Sequence, residues 1–549
     1  MTSIRFRILW ITSLFLGFCI FDAQLGNANP ASDSFVQYGF GSLEISDKDL
    51  AKGVVDRELI GVNLRKFRSG MSIGTRAPTR LGRTGKNQIE MMLADESVVL
   101  QQTRAYSIVS GLETITGTVL NSDSGWFVFS IDGMKLQGQV HYRGMIYDIR
   151  FDDTLGQHVL SMIDYSKMPK SNSEPLDGKI KSHSKDILWF EKPLPMSLGD
   201  TNATVRVLVL YGSDVSGISS IAANSIAMFN DSYQNSGLSA DFIVDLAGTR
   251  QLNSDLEGVC KNTAISLMEN ANFPFIGINN WQSNNHADLV LTVLTTDTEI
   301  EGCSSGYGRV GGQGSGLLDS DNPYAVTMDD YAVGDLTAIH ELGHLMGGGH
   351  PDWSYALLMD QSDDQAEPYA RGYISSTQDF QTIMGAYASG TCDFDYLPPD
   401  CERIPRWSDP GATYLGEAIG ITYVSTTQSP PAADMKSALE SKVPSVAAWE
   451  SYPHPAPDAP DIFSVSSQYC YGLNNVDWDA ATYAENYQVL RAYDSGFTDP
   501  DVIYFGSITG MVVDVPQNET WYLKVRSCNG SGCGDLTSQH STTYYNGCL

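Results

Sequence analysis

Three histidines, a glutamate and a glycine packed into eleven residues constrain this chain more than any other feature. The stretch Ala338-Ile339-His340-Glu341-Leu342-Gly343-His344-Leu345-Met346-Gly347-Gly348-Gly349-His350 carries the pattern H-E-x-x-H-x-x-G-x-x-H. With 9 His, 65 acids and 51 Gly in 549 residues, that pattern arises by chance in about three of every hundred thousand such chains, far more rarely than a bare H-E-x-x-H. Residues four apart on a helix lie one above the other, so His340 and His344 can offer two imidazoles to one metal ion with Glu341 beside them. Gly347 lets the chain turn out of the helix, and His350 can then close the site from the other side. Three neutral nitrogens leave one tetrahedral position open, which is the coordination of a catalytic rather than a structural zinc.

At 549 residues the chain exceeds what one hydrophobic core supports and should divide into about three or four domains. Arg5 and Arg7 precede the apolar run Ile8 to Phe21, and Gly26-Asn27-Ala28 follows. This reads as a secretory signal over residues 1–28. The run is too short for a comfortable membrane span and no other candidate is found, so the mature form is expected to be extracellular, without a membrane anchor. Beyond the signal lie Cys260, Cys303, Cys392, Cys401, Cys470, Cys528, Cys533 and Cys548. An even count in an exported chain implies disulfides, and Cys528 and Cys533 flank a short hairpin-like turn, but the pairing stays open. The net charge of −31 argues against nucleic acid as a partner, because binding phosphates takes clustered Lys and Arg.

Residues 29–195 contain no cysteine and read as a β-rich leader. Trp126–Ile131, Gly138–Tyr142 and Met145–Phe151 are aromatic or β-branched runs separated by Asp132-Gly133 and Arg143-Gly144, which is hairpin punctuation. Between an export signal and the histidine motif, such a region is expected to be a propeptide, the alternative being an independent N-terminal binding domain. Residues 196–450 alternate strands and helices. Val205–Tyr211, Ala240–Leu246 and Ala287–Leu294 are strands, and helices are expected on Ile218 to Tyr233 and near Asn262 to Met268. That order predicts an α/β (α+β) domain with a mixed, mostly parallel sheet and helices packed on it. Gly306 to Gly316 lacks a G-x-x-x-x-G-K and reads as loop, and Asp335 is expected to cap the histidine-bearing helix. Residues 451–461 are a proline-rich, semi-rigid spacer. In 462–549, short strands at Asn475–Trp478, Asn486–Arg491, Val502–Phe505, Met511–Val515 and Trp521–Arg526 predict an all-β sandwich.

With these residues in view, the chain resembles the metzincin zinc metalloproteases. Thr382-Ile383-Met384-Gly385-Ala386-Tyr387 is similar to the methionine turn of that clan, which implies that Met384 forms an apolar floor beneath the metal. The segment from Val205 to about Gly420 resembles the reprolysin-like, bacterial peptidyl-Asp metallopeptidase type. Its supporting residues are Ala287-Asp288-Leu289-Val290, Arg371-Gly372-Tyr373 and Arg403-Ile404-Pro405-Arg406-Trp407-Ser408-Asp409-Pro410. The terminal sandwich resembles a fibronectin type III module.

The resemblance implies a zinc-dependent endopeptidase made as a zymogen and acting on proteins or peptides. Zn2+ is held by His340, His344 and His350, with Glu341 as general base. Several relatives carry a tyrosine two residues after the turn methionine, whereas Tyr387 lies three after Met384. Its expected part is therefore a pocket or transition-state contact, or simple packing. Asp352 is a candidate to orient a ligand histidine. A cut beside acidic residues would need a cation, for which Arg371 and Arg406 are candidates, with solvated surface arginines the blander reading. Asp319, Asp321, Asp363 and Asp364 do not form an EF-hand pattern, so calcium has no support. The terminal module is expected to bind substrate or a surface, or to act as a spacer. The competing class is a secreted binding or adhesion protein whose zinc domain is structural or inactive.

Overall fold

The computed structural model describes residues 34–71, 88–167, 203–295, 323–351, 369–385, 402–425 and 431–543, with short gaps inside these ranges. The signal segment, the expected boundary near 195, Gly306 to Gly316, Asp319, Asp321, Asp352, Asp363, Asp364 and Tyr387 lie outside the described residues. So do Cys260, Cys303, Cys392, Cys401, Cys470 and Cys548. The described fold is mostly β with few helices.

The N-terminal part holds β1 (Val36–Gln37), β2 (Val54–Val62), α1 (Leu64–Gly70), β3 (Gln88–Leu93), β4 (Glu96–Ser107), β5 (Leu112–Val119), β6 (Trp126–Asp132), β7 (Lys135–Tyr142), β8 (Met145–Asp152) and β9 (Gln157–Asp164). From β3 to β9 each strand pairs antiparallel with the next, and β9 then pairs with β2. The expected turns are present. Arg143 and Gly144 both take positive φ, 54° and 71°, the conformation that a two-residue hairpin loop demands.

The middle part holds β10 (Ala203–Tyr211), α2 (Ile218–Asn235), β11 (Phe242–Gln251), α3 (Lys261–Glu269), α4 (Ile278–Asn284), β12 (Leu289–Leu294), β13 (Tyr324–Met328), α5 (Thr337–Leu345), the short pairs β14 (Phe380–Gln381) with β15 (Glu402–Arg403) and β16 (Asp409–Tyr414) with β17 (Glu417–Ile419), and α6 (Met435–Val446). The sheet order is β11-β10-β12-β13, and all three pairings are parallel. The expectation of a mixed sheet is therefore not met by the described strands. Strict alternation sorts the side chains of β10. Val205, Val207 and Val209 join a core with α2 and α5, while Leu208 and Leu210 face α3 and α4. Both faces are covered, which is why β10 and β12 read as unbroken apolar runs.

Helix α2 is more buried than its one apolar stripe predicts. Its polar residues Asn224, Ser225, Asn230, Asp231 and Ser232 are buried too: β5 and β6 lie across Asn224 and Asp231, and Asn230 exchanges hydrogen bonds with Val244 of β11. Arg104 forms a buried ion pair with Asp231, whose carboxylate also accepts from Thr116 Oγ1 at 2.9 Å and Asn235 Nδ2 at 3.0 Å. Ser130 hydrogen-bonds Asn224 across the same seam.

The C-terminal part holds β18 (Phe463–Gln468), β19 (Leu473–Trp478), β20 (Asn486–Ala492), β21 (Asp501–Gly506), β22 (Gly510–Asp514), β23 (Thr520–Asn529), β24 (Gly532–Cys533) and β25 (His540–Thr543). Two sheets, β18-β19-β22 and β21-β20-β23 with β24 and β25 on β23, enclose Trp478, Tyr487, Val489 and Trp521. Cys528 and Cys533 are bridged. The proline-rich stretch is extended, as expected, but does not stand clear of the sandwich. Pro455 O accepts from Asn529 Nδ2 at 2.7 Å, and the His454 ring stacks on Tyr483. Nor is the sandwich separate from the N-terminal part: β21 pairs parallel with β4, Tyr504 opposite Ala105, Phe505 opposite Tyr106 and Gly506 opposite Ser107. Among the described residues, no helix is long and apolar enough to cross a membrane.

The Arg104–Asp231 pair predicts a measurable dependence of stability on the N-terminal part. Arg104→Met strands a buried carboxylate and should lower unfolding free energy by about 3–5 kcal/mol. The double variant Arg104→Met/Asp231→Asn should lose clearly less, by urea denaturation of the full chain.

Candidate metal centre

Helix α5 begins after Leu336, which sits in the left-handed region at φ 55°, and no side chain caps it. Asp335 does not serve as the cap expected from sequence, because its carboxylate is engaged elsewhere. Arg403 Nη1 donates to Asp335 O at 2.7 Å and lies 3.3 Å from Oδ2, and Tyr165 of the N-terminal part donates to Oδ1 at 2.7 Å. The Tyr165 hydroxyl also accepts the backbone N–H of Arg403 at 3.3 Å. Ala338, Ile339, Leu342 and Leu345 bury the helix in the core shared with α2. That burial directs His340 and His344, one turn apart, to a common point.

The chain leaves α5 as the motif requires. Gly347 has φ 91°, and Gly348 N–H returns to Gly343 O at 2.9 Å. Gly349 N–H donates to Ala370 O at 2.7 Å, and Gly372 N–H to Gly349 O at 3.0 Å, so the strand-like contact with residues 370–372 fixes His350. The three Nε2 atoms come together: His340 to His350 is 3.1 Å, His344 to His340 3.2 Å and His344 to His350 3.0 Å.

These contacts are not hydrogen bonds in the usual sense. His340 Nδ1 lies 2.6 Å from Ile383 O, and His344 Nδ1 lies 2.7 Å from Gly348 O. A carbonyl only accepts, so both Nδ1 atoms carry the proton and both Nε2 atoms present bare lone pairs. Burial, with the Arg403 guanidinium and the other imidazoles, holds His340 well below the usual histidine range. Burial, helped by Arg403, brings His344 down to about 4, and burial with His344 and Arg403 lowers His350 as well. Neutral imidazoles with converging lone pairs repel one another unless a cation lies between them. Ligand bonds of about 2.0–2.1 Å at tetrahedral angles would set the nitrogens about 3.3–3.4 Å apart, close to the observed spacing. The three histidines are grouped as a metal site, and their donor set suits a divalent ion that takes imidazole nitrogen.

Glu341 is buried at 3% exposure, one residue after His340 and three before His344. Met384 is buried beneath the same helix turn. A β-carbon on Gly343 would fall 2.6 Å from Met384 Sδ and 2.8 Å from the Trp407 ring, and one on Gly372 would fall 2.2 Å from the Met384 backbone. The turn residue Ile383 thus orients His340 through its carbonyl while Met384 packs under Gly343. Arg403 ties this turn to the helix start, since its Nη2 donates to Gly385 O at 3.2 Å. The sequence had singled out Arg403 only as part of a similar segment. A buried arginine has no signature in a sequence, because its burial depends on partners brought from three separate segments. Arg371 is not solvated, at 6% exposure, since residues 369–372 lie between the turn and His350. Arg406 is half-buried, with its guanidinium over the Tyr414 ring.

Comparison with known proteins places relatives beside this geometry. The peptidyl-Asp metalloendopeptidase of Stenotrophomonas maltophilia (strain R551-3) is 25% identical over 368 residues, covering 62% of this chain and 79% of that one. The peptidyl-Asp metalloendopeptidase of Xanthomonas campestris pv. campestris is 23% identical over 308 residues, covering 52% and 63%. Among solved structures, metalloproteinase-II from Bacteroides fragilis is 13% identical with a TM-score of 0.36, covering 62% of this chain and 90% of that one. The fibronectin type III structure FN3tt is 20% identical with a TM-score of 0.16, covering 17% of this chain and 100% of that one. No family model matches the chain. The chain thus resembles bacterial metallopeptidases of the peptidyl-Asp type, as its motifs do, and a metal cofactor goes with that kinship.

Gly343→Ala separates helix propensity from packing. Propensity alone would stabilise α5 by about 1 kcal/mol. The clash with Met384 and Trp407 should instead destabilise by about 1–3 kcal/mol and weaken metal retention against a chelator, read by thermal unfolding and metal content.

Proposed function

We propose that this relative of bacterial metallopeptidases is a zinc-dependent metalloendopeptidase of metzincin type, exported and made as a zymogen whose N-terminal region is the propeptide. The observation that carries the proposal is the convergence of three neutral imidazoles whose Nε2 lone pairs lie 3.0–3.2 Å apart. His340, His344 and His350 would hold the ion. When bound, zinc acts as a Lewis acid that brings the pKa of a coordinated water to about 7. The other chemistry belongs to the chain. Glu341 accepts the proton of the attacking water and delivers it to the leaving amine, so one carboxylate acts as base and then as acid. Its burial between two ligand histidines keeps it short of competing solvent. Ile383 O and Gly348 O hold two imidazoles in the tautomer that leaves Nε2 free. Met384 and Trp407 close the space beneath them and prevent the turn from drifting.

The printed names of the relatives, peptidyl-Asp metalloendopeptidases, extend to this chain as a proposal that it cuts beside acidic residues. Arg406, half-buried beside Tyr414, is a better candidate for pairing with a substrate carboxylate than the buried Arg371.

Glu341→Gln should keep one zinc per chain and the same unfolding midpoint while lowering kcat/KM on a protein substrate by about 10²–10⁴-fold. A folded, zinc-loaded variant that still cleaves casein at the wild-type rate would remove Glu341 from its role. Digestion of a peptide library should enrich Asp or Glu next to the cut, and Arg406→Gln should weaken that enrichment. A flat profile from the wild type would end the acidic preference.

A further inference from the structure

The end of β4 grips two other parts of the chain at once. Arg104 reaches Asp231 of α2, and the next three residues, Ala105, Tyr106 and Ser107, pair parallel with Tyr504, Phe505 and Gly506 of β21. On that edge β3 pairs with β4 only as far as Gln101, so β21 takes over where β3 stops. The terminal sandwich is built for this neighbour. In a free-standing sandwich the outer face of each sheet is polar and an edge strand is left open or blunted by charge. Here β20 and β21 are buried on both faces. Tyr487, Val489 and Ile503 point into the sandwich, while Leu490, Val502 and Phe505 point outward into a second cluster with Tyr106, Ala227 and Ile243. That cluster draws on the N-terminal, middle and C-terminal parts together. Gly506 marks the closest approach, since a β-carbon there would lie 2.5 Å from Ser107 Cβ and 2.8 Å from its backbone nitrogen. A module serving only to bind substrate or to act as a spacer needs none of these features.

We propose that the terminal sandwich is an internal clamp for the N-terminal region, with β21 and its outward apolar face holding Ala105–Ser107. The N-terminal region then stays seated on the protein after the backbone joining it to the middle part is cut. The inference rests on the reading of the N-terminal region as a propeptide only in assuming such a cut. Retention also keeps Tyr165 on Asp335 at the entry to α5, so the clamp preserves a support of the metal centre.

The test uses the full chain with a tandem recognition site for a sequence-specific protease inserted after Asn172, so that the outcome does not depend on whether the native chain is processed. Cleavage is brought to completion on a denaturing gel, and the product is run on size exclusion. The wild-type N-terminal fragment should co-elute with the remainder. Gly506→Val wedges the two strands apart, and Tyr106→Ala removes the aromatic from the other side of the seam without touching the sandwich. In both variants the fragment should dissociate at least about tenfold more readily. Arg104→Met provides the comparison at α2. The proposal fails if the wild-type fragment separates during the run, if Gly506→Val and Tyr106→Ala both retain it as the wild type does, or if only Arg104→Met releases it.

Discussion

Two imidazoles whose Nδ1–H groups already donate to backbone carbonyls, and a third brought against them, form an arrangement that repels itself without a cation. The rest of the middle part supplies what holds it. Ile383 O and Gly348 O set the tautomers of His340 and His344, residues 370–372 pin the return of His350, and Arg403 links the start of α5 to the methionine turn. Each contact is an ordinary hydrogen bond worth about 1 kcal/mol net. Together they remove the freedom that would let the lone pairs turn away from one another, and that preorganisation is what a metal ligand set requires.

The centre is supported from outside the middle part as well. Tyr165 shares Asp335 with Arg403, His141 lies 3.1 Å from Glu402 beside the same arginine, and Trp126 stacks on His141. The N-terminal part therefore covers the polar face of α2 and braces the segments around the helix start. The terminal sandwich closes the assembly by pairing with β4. A chain whose three parts look independent in composition is joined by several apolar clusters of mixed origin and a run of buried polar contacts. Buried ion pairs of this kind contribute little net stability, but breaking one partner is costly, and that asymmetry favours a single docking geometry.

Local signals were read well. The hairpins around Arg143-Gly144, the strands of β10 and β12, helix α2 and the five sandwich strands all follow from periodicity and turn chemistry, because those features depend on residues close in sequence. The positions of His340, His344 and His350 follow too, since helical spacing and one glycine bring them to a point. What was missed depended on distant partners. Asp335 has the composition of a helix cap, yet Arg403 and Tyr165, 68 and 170 residues away, claim its carboxylate. Arg371 reads as a surface residue and is buried. β13 and α4 carry too little pattern over 5 and 7 residues to stand out alone.

The sequence by itself determined the histidine triad, the glutamate beside it and the alternation of apolar and polar residues that builds each sheet, because these are set by the backbone's own periods of 3.6 and 2. Only the tertiary structure decided which carbonyls accept the Nδ1–H of the histidines, that Gly343 is small because Met384 and Trp407 press against it, and that β21 completes its pairing on β4. Those outcomes depend on contacts whose separation in sequence runs from 4 residues for His344–Gly348 and 43 for His340–Ile383 to the far longer span between β4 and β21, and their geometry arises from packing the whole core.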